Sequence, residues 1–277
     1  VLQISGLGEV ERKYSHFLVD LWGVVHDGHS LYPQAKEALE KLNKLEKQVI
    51  FFSNSPRRKL YIEAALHKMG VTENMYTDII TSGEVTRLYL QQNQKLGKYY
   101  FYIGSPVGDP HYNILAEMPP YQQVEKARDA DFAVIATIIG MKEEEIQKSL
   151  RECLESGLTL LCVNPDKKSV VQDGSERICA GFYAEQYEDA GGKVIYIGKP
   201  FPQIYQLAFQ MIGKVNNDVL AIGDSLAHDI QGANTHYLSS LWITGGIHKK
   251  DIISSSPEAV AKRLGTQPNY VCELLKW

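Results

Sequence analysis

The chain of 277 residues is 44% hydrophobic and carries a formal net charge of -4. That length exceeds one small core and fits one large or two modest domains of ordinary globular composition. The acidic balance, with a pI of about 6.1, leaves no electrostatic footprint for nucleic acid, and no apolar run is long enough to span a bilayer. Basic clusters at Arg57-Arg58-Lys59 and Lys249-Lys250 read as solvated faces. Cys153, Cys162, Cys179 and Cys272 show no metal-type spacing and read as reduced thiols. With an N-terminus that lacks the basic-then-apolar order of a secretory signal, they point to a cytoplasmic protein.

In chain order, Leu18-Val19 predicts a strand ending on Asp20, and a turn around residues 28–33 leads to a helix over 35–45. Ala35, Ala38, Leu39, Leu42 and Leu45 recur at three- and four-residue steps, one buried stripe. Residues 49–52 predict a second strand, 58–69 a helix closed by Gly70, and Ile79-Ile80 a third strand. A helix capped near Ser82 follows, with Glu84 in its first turn. Residues 99–103, 132–138 and 158–163 read as further strands, with a charged helix over 142–155 among them. KVIYIG, a helix over 203–212, VLAIG, a helix from about Asp229 and LWIT then resume the opening pattern. The alternation predicts an α/β fold: a doubly wound parallel-sheet core over 1–96 and 194–277, interrupted by an inserted α/β domain over 97–193.

Four polar residues each follow a short β-rich apolar stretch: Asp20, Ser53 after QVIFF, Lys199 after KVIYIG, and Asp224 after VLAIG. Open parallel sheets build their sites outside the carboxyl ends of the strands. A carboxylate held rigidly there suits a nucleophile or a metal ligand.

The motifs around these residues are DLWGVVHDG at 20–28, SNS at 53–55, GKP at 198–200 and GDSLAHDIQGA at 223–233, with Asn164-Pro165-Asp166 after a strand as a fifth. In order, context and spacing they resemble the haloacid dehalogenase-like superfamily, class IIA, the NagD-like phosphatase branch, over essentially the whole chain. The resemblance implies a Mg²⁺-dependent phosphatase acting on a small phosphorylated metabolite. Asp20 would attack phosphorus and form an aspartyl-phosphate. Ser53 would donate to a phosphate oxygen, with Asn54, Ser55 and Gly23 binding substrate beside it, and Lys199 would offset converging charge. Asp20, the backbone carbonyl of Trp22, Asp224 and Asp229 would hold the cation. Asp229 would act through water or by orienting Lys199; as a bare residue it reads equally as a helix cap. The insert would serve as a lid that selects substrate, with residues 164–168 or 177–183 on the leaving group. Taken alone, Asn164 to Asp166 reads as a structural turn, and His228, often Thr in the family, as a surface residue or one backing the site. A homodimer stays open, with Tyr99 to Tyr102 able to seed an interface.

The chain departs from the family at Trp22, where relatives have a second Asp that protonates the leaving oxygen and later activates water. An indole N–H only donates. A positioned acid–base group contributes about 10²–10⁴ in rate, a loss tolerable for acyl or aryl phosphates and serious for a sugar phosphate. His26 or Asp27 could substitute as proton carrier, against a plain role in a polar turn. Trp22 itself reads as aromatic packing beneath the site, or as a wall that excludes water and prolongs the aspartyl-phosphate. The competing reading is a catalytically impaired protein that binds a phosphorylated ligand or a protein partner. A dehalogenase fits poorly, since the acidic GDSLAHD motif is suited to a metal that dehalogenation does not need.

Overall fold

The computed structural model describes residues 1–105, 113–170, 175–213 and 218–277. Four strands open the chain: β1 (Leu2–Gln3), β2 (His16–Val19), β3 (Gln48–Ser53) and β4 (Asp78–Thr81). β5 (Tyr99–Ile103), β6 (Gln122–Val124), β7 (Phe132–Ile135) and β8 (Thr159–Cys162) follow, then the short β9 (Lys168–Val170) and β10 (Glu176–Ile178). β11 (Lys193–Tyr196), β12 (Val219–Gly223), β13 (Ser239–Ile243) and β14 (Tyr270–Cys272) complete the set. One parallel sheet has the order β1-β14-β13-β12-β2-β3-β4 and a second the order β11-β8-β7-β5-β6, while β9 and β10 pair antiparallel outside both. Strands covered on both faces explain the near-continuous Val, Ile, Leu and Phe runs.

Helices α1 (Pro33–Lys44), α2 (Lys59–Lys68), α3 (Ser82–Gln92), α4 (Glu143–Glu155), α5 (Ala180–Asp189) and α6 (Pro202–Ile212) connect these strands. Phe17, Val19 and Phe51 face Ala35, Leu39 and Leu42 of α1 in one core. Leu18, Ile50 and Phe52 face the other way and join Leu90 of α3, Tyr205 of α6, and Tyr100, Phe132 and Leu161 of the second sheet in a continuous buried cluster. The two sheets thus share a core. A third cluster seals the far side of the second sheet beneath α4 and α5.

Several expectations are corrected. KVIYIG does not resume the first sheet: β11 pairs in parallel with β8 at the edge of the second. A strand's sequence states that it is apolar, not which neighbour completes its hydrogen bonds. Leu45 lies past the end of α1 and is 48% exposed. The cap of α3 is Thr81, whose hydroxyl accepts the Glu84 N–H at 3.1 Å; Ser82 donates to the carbonyls of Asn54 and Ser55 instead. β7 and β8 are shorter than the runs that predicted them, and β1, β6, β9, β10 and β14 were not anticipated, being too short to show a period. Arg58 and Lys59 are not simply solvated, since they pair with Glu84 and Asp78. Tyr100 is core, which leaves Tyr99 as the exposed tyrosine of its strand. The four cysteines are unpaired. Among the described residues no helix is long and apolar enough to cross a membrane.

Candidate active site

β12, β2 and β3 are adjacent in the first sheet, so their carboxyl ends bring Asp224, Asp20 and Ser53 to one edge. Asp20 extends the β2 ladder by one bond, its N–H donating to Ile222 O at 2.8 Å. Lys199 arrives from the second sheet. It is only 3% exposed, and its ammonium donates to Asp20 Oδ1 at 2.7 Å, Asp229 Oδ1 at 2.7 Å and Phe52 O at 2.8 Å. All three of its N–H groups are thereby placed, which a buried ammonium requires.

Asp229 does not open a helix. It is the fourth residue of a π turn, Leu226–Ile230, that runs into α7 (Gln231–Thr235), and such turns gather at functional sites. Its Oδ2 accepts the Ser225 N–H at 3.0 Å, so both its oxygens already take a hydrogen bond. Asp224 Oδ2 accepts the Ile247 N–H at 2.8 Å. A Cβ at Gly23 (φ +81) or Gly246 would lie 2.2 or 2.0 Å from that same oxygen. Gly23 therefore makes room for Asp224, whatever else it does for substrate. The segment around Gly245-Gly246 was missed by sequence reasoning; the paired glycines after LWIT were its signal.

Charge in this space is unbalanced. Burial pushes Asp20 up to about 7, against the opposing pull of Lys199 and with the Asp229 charge adding to the rise. Burial, then the Asp20 and Asp229 charges, raise Asp224 well above the usual carboxylate range. Burial works against the Lys199 charge, yet Asp20 and Asp229 together hold its ammonium above the ordinary lysine range. One oxygen from each of Asp20, Asp224 and Asp229 lies within 4.8 Å of the others. Three carboxyl groups face one ammonium, so burial and mutual repulsion oppose ionising all three at once, and hard oxygen donors in that position fit a divalent cation such as Mg²⁺.

The remaining predicted residues divide. Ser53 Oγ accepts the Ser55 N–H at 3.1 Å and keeps its own hydrogen to donate into the cavity. Ser55 also lines the cavity, and its Oγ accepts the Arg57 N–H at 3.3 Å. Asn54 is occupied with Lys199 and Asp166 instead. Its Oδ1 accepts the Lys199 N–H at 2.7 Å, and its Nδ2 donates to Lys199 O at 3.1 Å and Asp166 Oδ1 at 2.8 Å. Asp166 also meets His228 Nδ1 at 3.2 Å, so the Asn164-Pro165-Asp166 turn and His228 both reach the site. Burial lowers His26 to about 4; its Nδ1 accepts the Gly28 N–H, and Asp27 accepts the His29 and Ser30 N–H groups. Both are engaged by the turn.

Trp22 is not packed beneath the site. It is 37% exposed, and its Nε1 donates to Val170 O of β9 at 2.8 Å, 148 residues away. The cavity, of about 670 Å³, is walled by Ile62 and Leu66 of α2, by Met69 just past its end, and by Lys168, Arg177 and Ile178 of the β9–β10 ribbon. Tyr183, in the segment expected to reach the leaving group, is instead buried and donates to Glu143 of α4. Lys249 and Lys250 stand exposed at the cavity's edge.

Two family models match: haloacid dehalogenase-like hydrolase over residues 17–111, and HAD-hydrolase-like over 196–275. The chain belongs to the haloacid dehalogenase-like hydrolases, in their class IIA, NagD-like branch. It is 23% identical to Sugar-phosphatase AraL of Bacillus subtilis (strain 168) over 261 residues, 94% of this chain and 90% of that one. A haloacid dehalogenase-like hydrolase from Brucella suis 1330 superposes with a TM-score of 0.84 at 26% identity, covering 98% of this chain and 99% of that one. The glycerol phosphate phosphatase Rv1692 from Mycobacterium tuberculosis, in complex with calcium, gives 0.72 at 21% identity, covering 96% and 74%.

Proposed function

We propose that the chain is a Mg²⁺-dependent phosphatase that hydrolyses a small phosphorylated metabolite through an aspartyl-phosphate on Asp20. The observation that carries this reading is the Lys199 ammonium set at 2.7 Å from both Asp20 and Asp229, with Asp224 completing a cluster of carboxyl groups. Asp20, Asp224 and the Trp22 carbonyl would hold the cation, with Asp229 joining through water. Mg²⁺ supplies positive charge that keeps the buried carboxylates ionised and neutralises phosphate oxygens.

Asp20 attacks phosphorus from a position fixed by the β2 ladder. Lys199 offsets charge between phosphate and nucleophile, Ser53 donates to a phosphate oxygen, and Asp229 holds Lys199 in place. The second sheet and its ribbon act as the cap over the leaving group. Because Trp22 cannot return a proton and its N–H is engaged by Val170, substrates with a stabilised leaving group are favoured: acyl and aryl phosphates over sugar phosphates.

The test is phosphate release from a panel of phosphate esters with Mg²⁺, comparing wild type with Asp20→Asn. Mass spectrometry after a substrate pulse looks for one added phosphoryl group on residues 16–30. Absence of Asp20-dependent release across the panel overturns the reading. Trp22 in the acid's place also favours a second reading, a protein that holds a phosphorylated ligand without turnover. Tight phosphate-ester binding with no release would select it.

A further inference from the structure

We propose that Trp22 is a positioning residue that seats the β9–β10 ribbon against the cavity, and thereby selects phosphate esters whose leaving group carries an anionic substituent. The proposal rests on the phosphatase reading above and deepens it.

The ring of Trp22 has little freedom. His26 meets it edge-on at a centroid distance of 5.7 Å, and Gly28 lies so close that a Cβ there would sit 2.3 Å from Cη2. Held in that place, the indole N–H reaches the ribbon at Val170 O. The ribbon needs such a tie. It consists of two three-residue strands paired only with each other and largely exposed, and an isolated two-stranded pair is marginal in water. Its internal Lys168–Glu176 ion pair, about half exposed on both sides, adds little. The rest of the insert is packed into a buried cluster that it shares with the first sheet. The ribbon is therefore the part of the roof free to open locally, anchored at its root by Asp166 on Asn54 and His228 and further along by Trp22.

The ribbon carries Arg177 and Ile178 to the cavity wall. Arg177 has no ion-pair partner among the described residues. A partly buried guanidinium with no carboxylate partner among the described residues is suited to a carboxylate or a second phosphate on the substrate, and Ile178 to an apolar body. Position 22, which serves proton transfer in relatives, here secures the wall that reads the leaving group.

The experiment pairs 4-carboxyphenyl phosphate with p-nitrophenyl phosphate and follows wild type, Trp22→Phe, Arg177→Gln and the double variant. Loss of the indole donor should raise KM for the carboxylated ester about five- to tenfold more than for the nitro ester, with kcat changing less than KM. The double variant should be no more impaired in that ratio than Arg177→Gln, since both changes remove one recognition element. Hydrogen exchange should quicken about tenfold at amides 168–170 and 176–178 in Trp22→Phe. Trp22→Tyr is measured alongside and replaces Trp22→Phe should the latter fail to fold. Equal KM changes for the two esters, additive effects in the double variant, or unchanged ribbon exchange each overturn the proposal. If wild type turns over neither ester, the phosphatase reading falls separately, and ribbon exchange alone upholds or overturns the seating.

Discussion

Asn54 grips Lys199 by its peptide group: the carboxamide accepts the Lys199 N–H at 2.7 Å and donates to the Lys199 carbonyl at 3.1 Å. Asp20 and Asp229 grip the same residue by its ammonium. A lysine delivered from one sheet is thus fixed at both ends to residues of the other. Replacing Asn54 with Leu leaves buried N–H and C=O groups unpaired, at about 1–3 kcal/mol each. The variant should melt roughly 5–10 °C lower, at about 2–4 °C per kcal/mol for a chain of this size. Misplacing Lys199 should reduce turnover on the order of 10²-fold. Thermal melts and p-nitrophenyl phosphate kinetics check both.

The two strand-end carboxylates should separate in their effects. Asp20→Asn removes the nucleophile, and phosphate release should fall on the order of 10⁴-fold. Asp224→Asn removes a carboxyl group whose ionisation burial, then the Asp20 and Asp229 charges, oppose in the metal-free protein, so its melting temperature in EDTA should rise by about 2–4 °C, for roughly 1 kcal/mol. Wild type should gain about 2.7 kcal/mol of stability at Mg²⁺ a hundredfold above its Kd, and Asp224→Asn should lose that gain. Melting scans with and without Mg²⁺ report all three.

Gly246→Ala tests the space around Asp224. The new methyl would meet Asp224 Oδ2 at 2.0 Å, so that carboxylate must move. The fold should persist, because the residue lies in a turn beyond β13. Mg²⁺ titration followed by tryptophan fluorescence should show affinity weakened at least tenfold, and a wild-type midpoint would contradict the geometry.

His26 sets a pH dependence. Its value falls from 6.5 to about 4 through burial, with Asp27 opposing. Between those values the unfolded chain binds a proton that the folded one refuses, so stability is full above about 6.5 and is lost as pH falls toward 4. The full shift corresponds to on the order of 3 kcal/mol. In His26→Gln, whose amide oxygen can still accept the Gly28 N–H, urea melts between pH 7 and 4 should show a shallower decline.

Asp20, Ser53, Lys199 and Asp224 could be found by reading the chain because each follows an apolar strand, and strand ends are marked locally by composition. The alternation that predicts a parallel α/β fold is equally local, as are the buried positions of α1. Partnership is not local. That β11 joins β8, that Asn54 clamps Lys199, that Asp166 meets His228, and that Trp22 reaches Val170 all depend on contacts between segments far apart in sequence. Two- and three-residue strands such as β9 and β10 exist only through their partners, so no periodicity could announce them. Sequence alone determined which chemical groups line the strand ends. Tertiary packing decided which of them touch, because hydrogen bonds and burial between distant segments are settled only when the two sheets close on their common core.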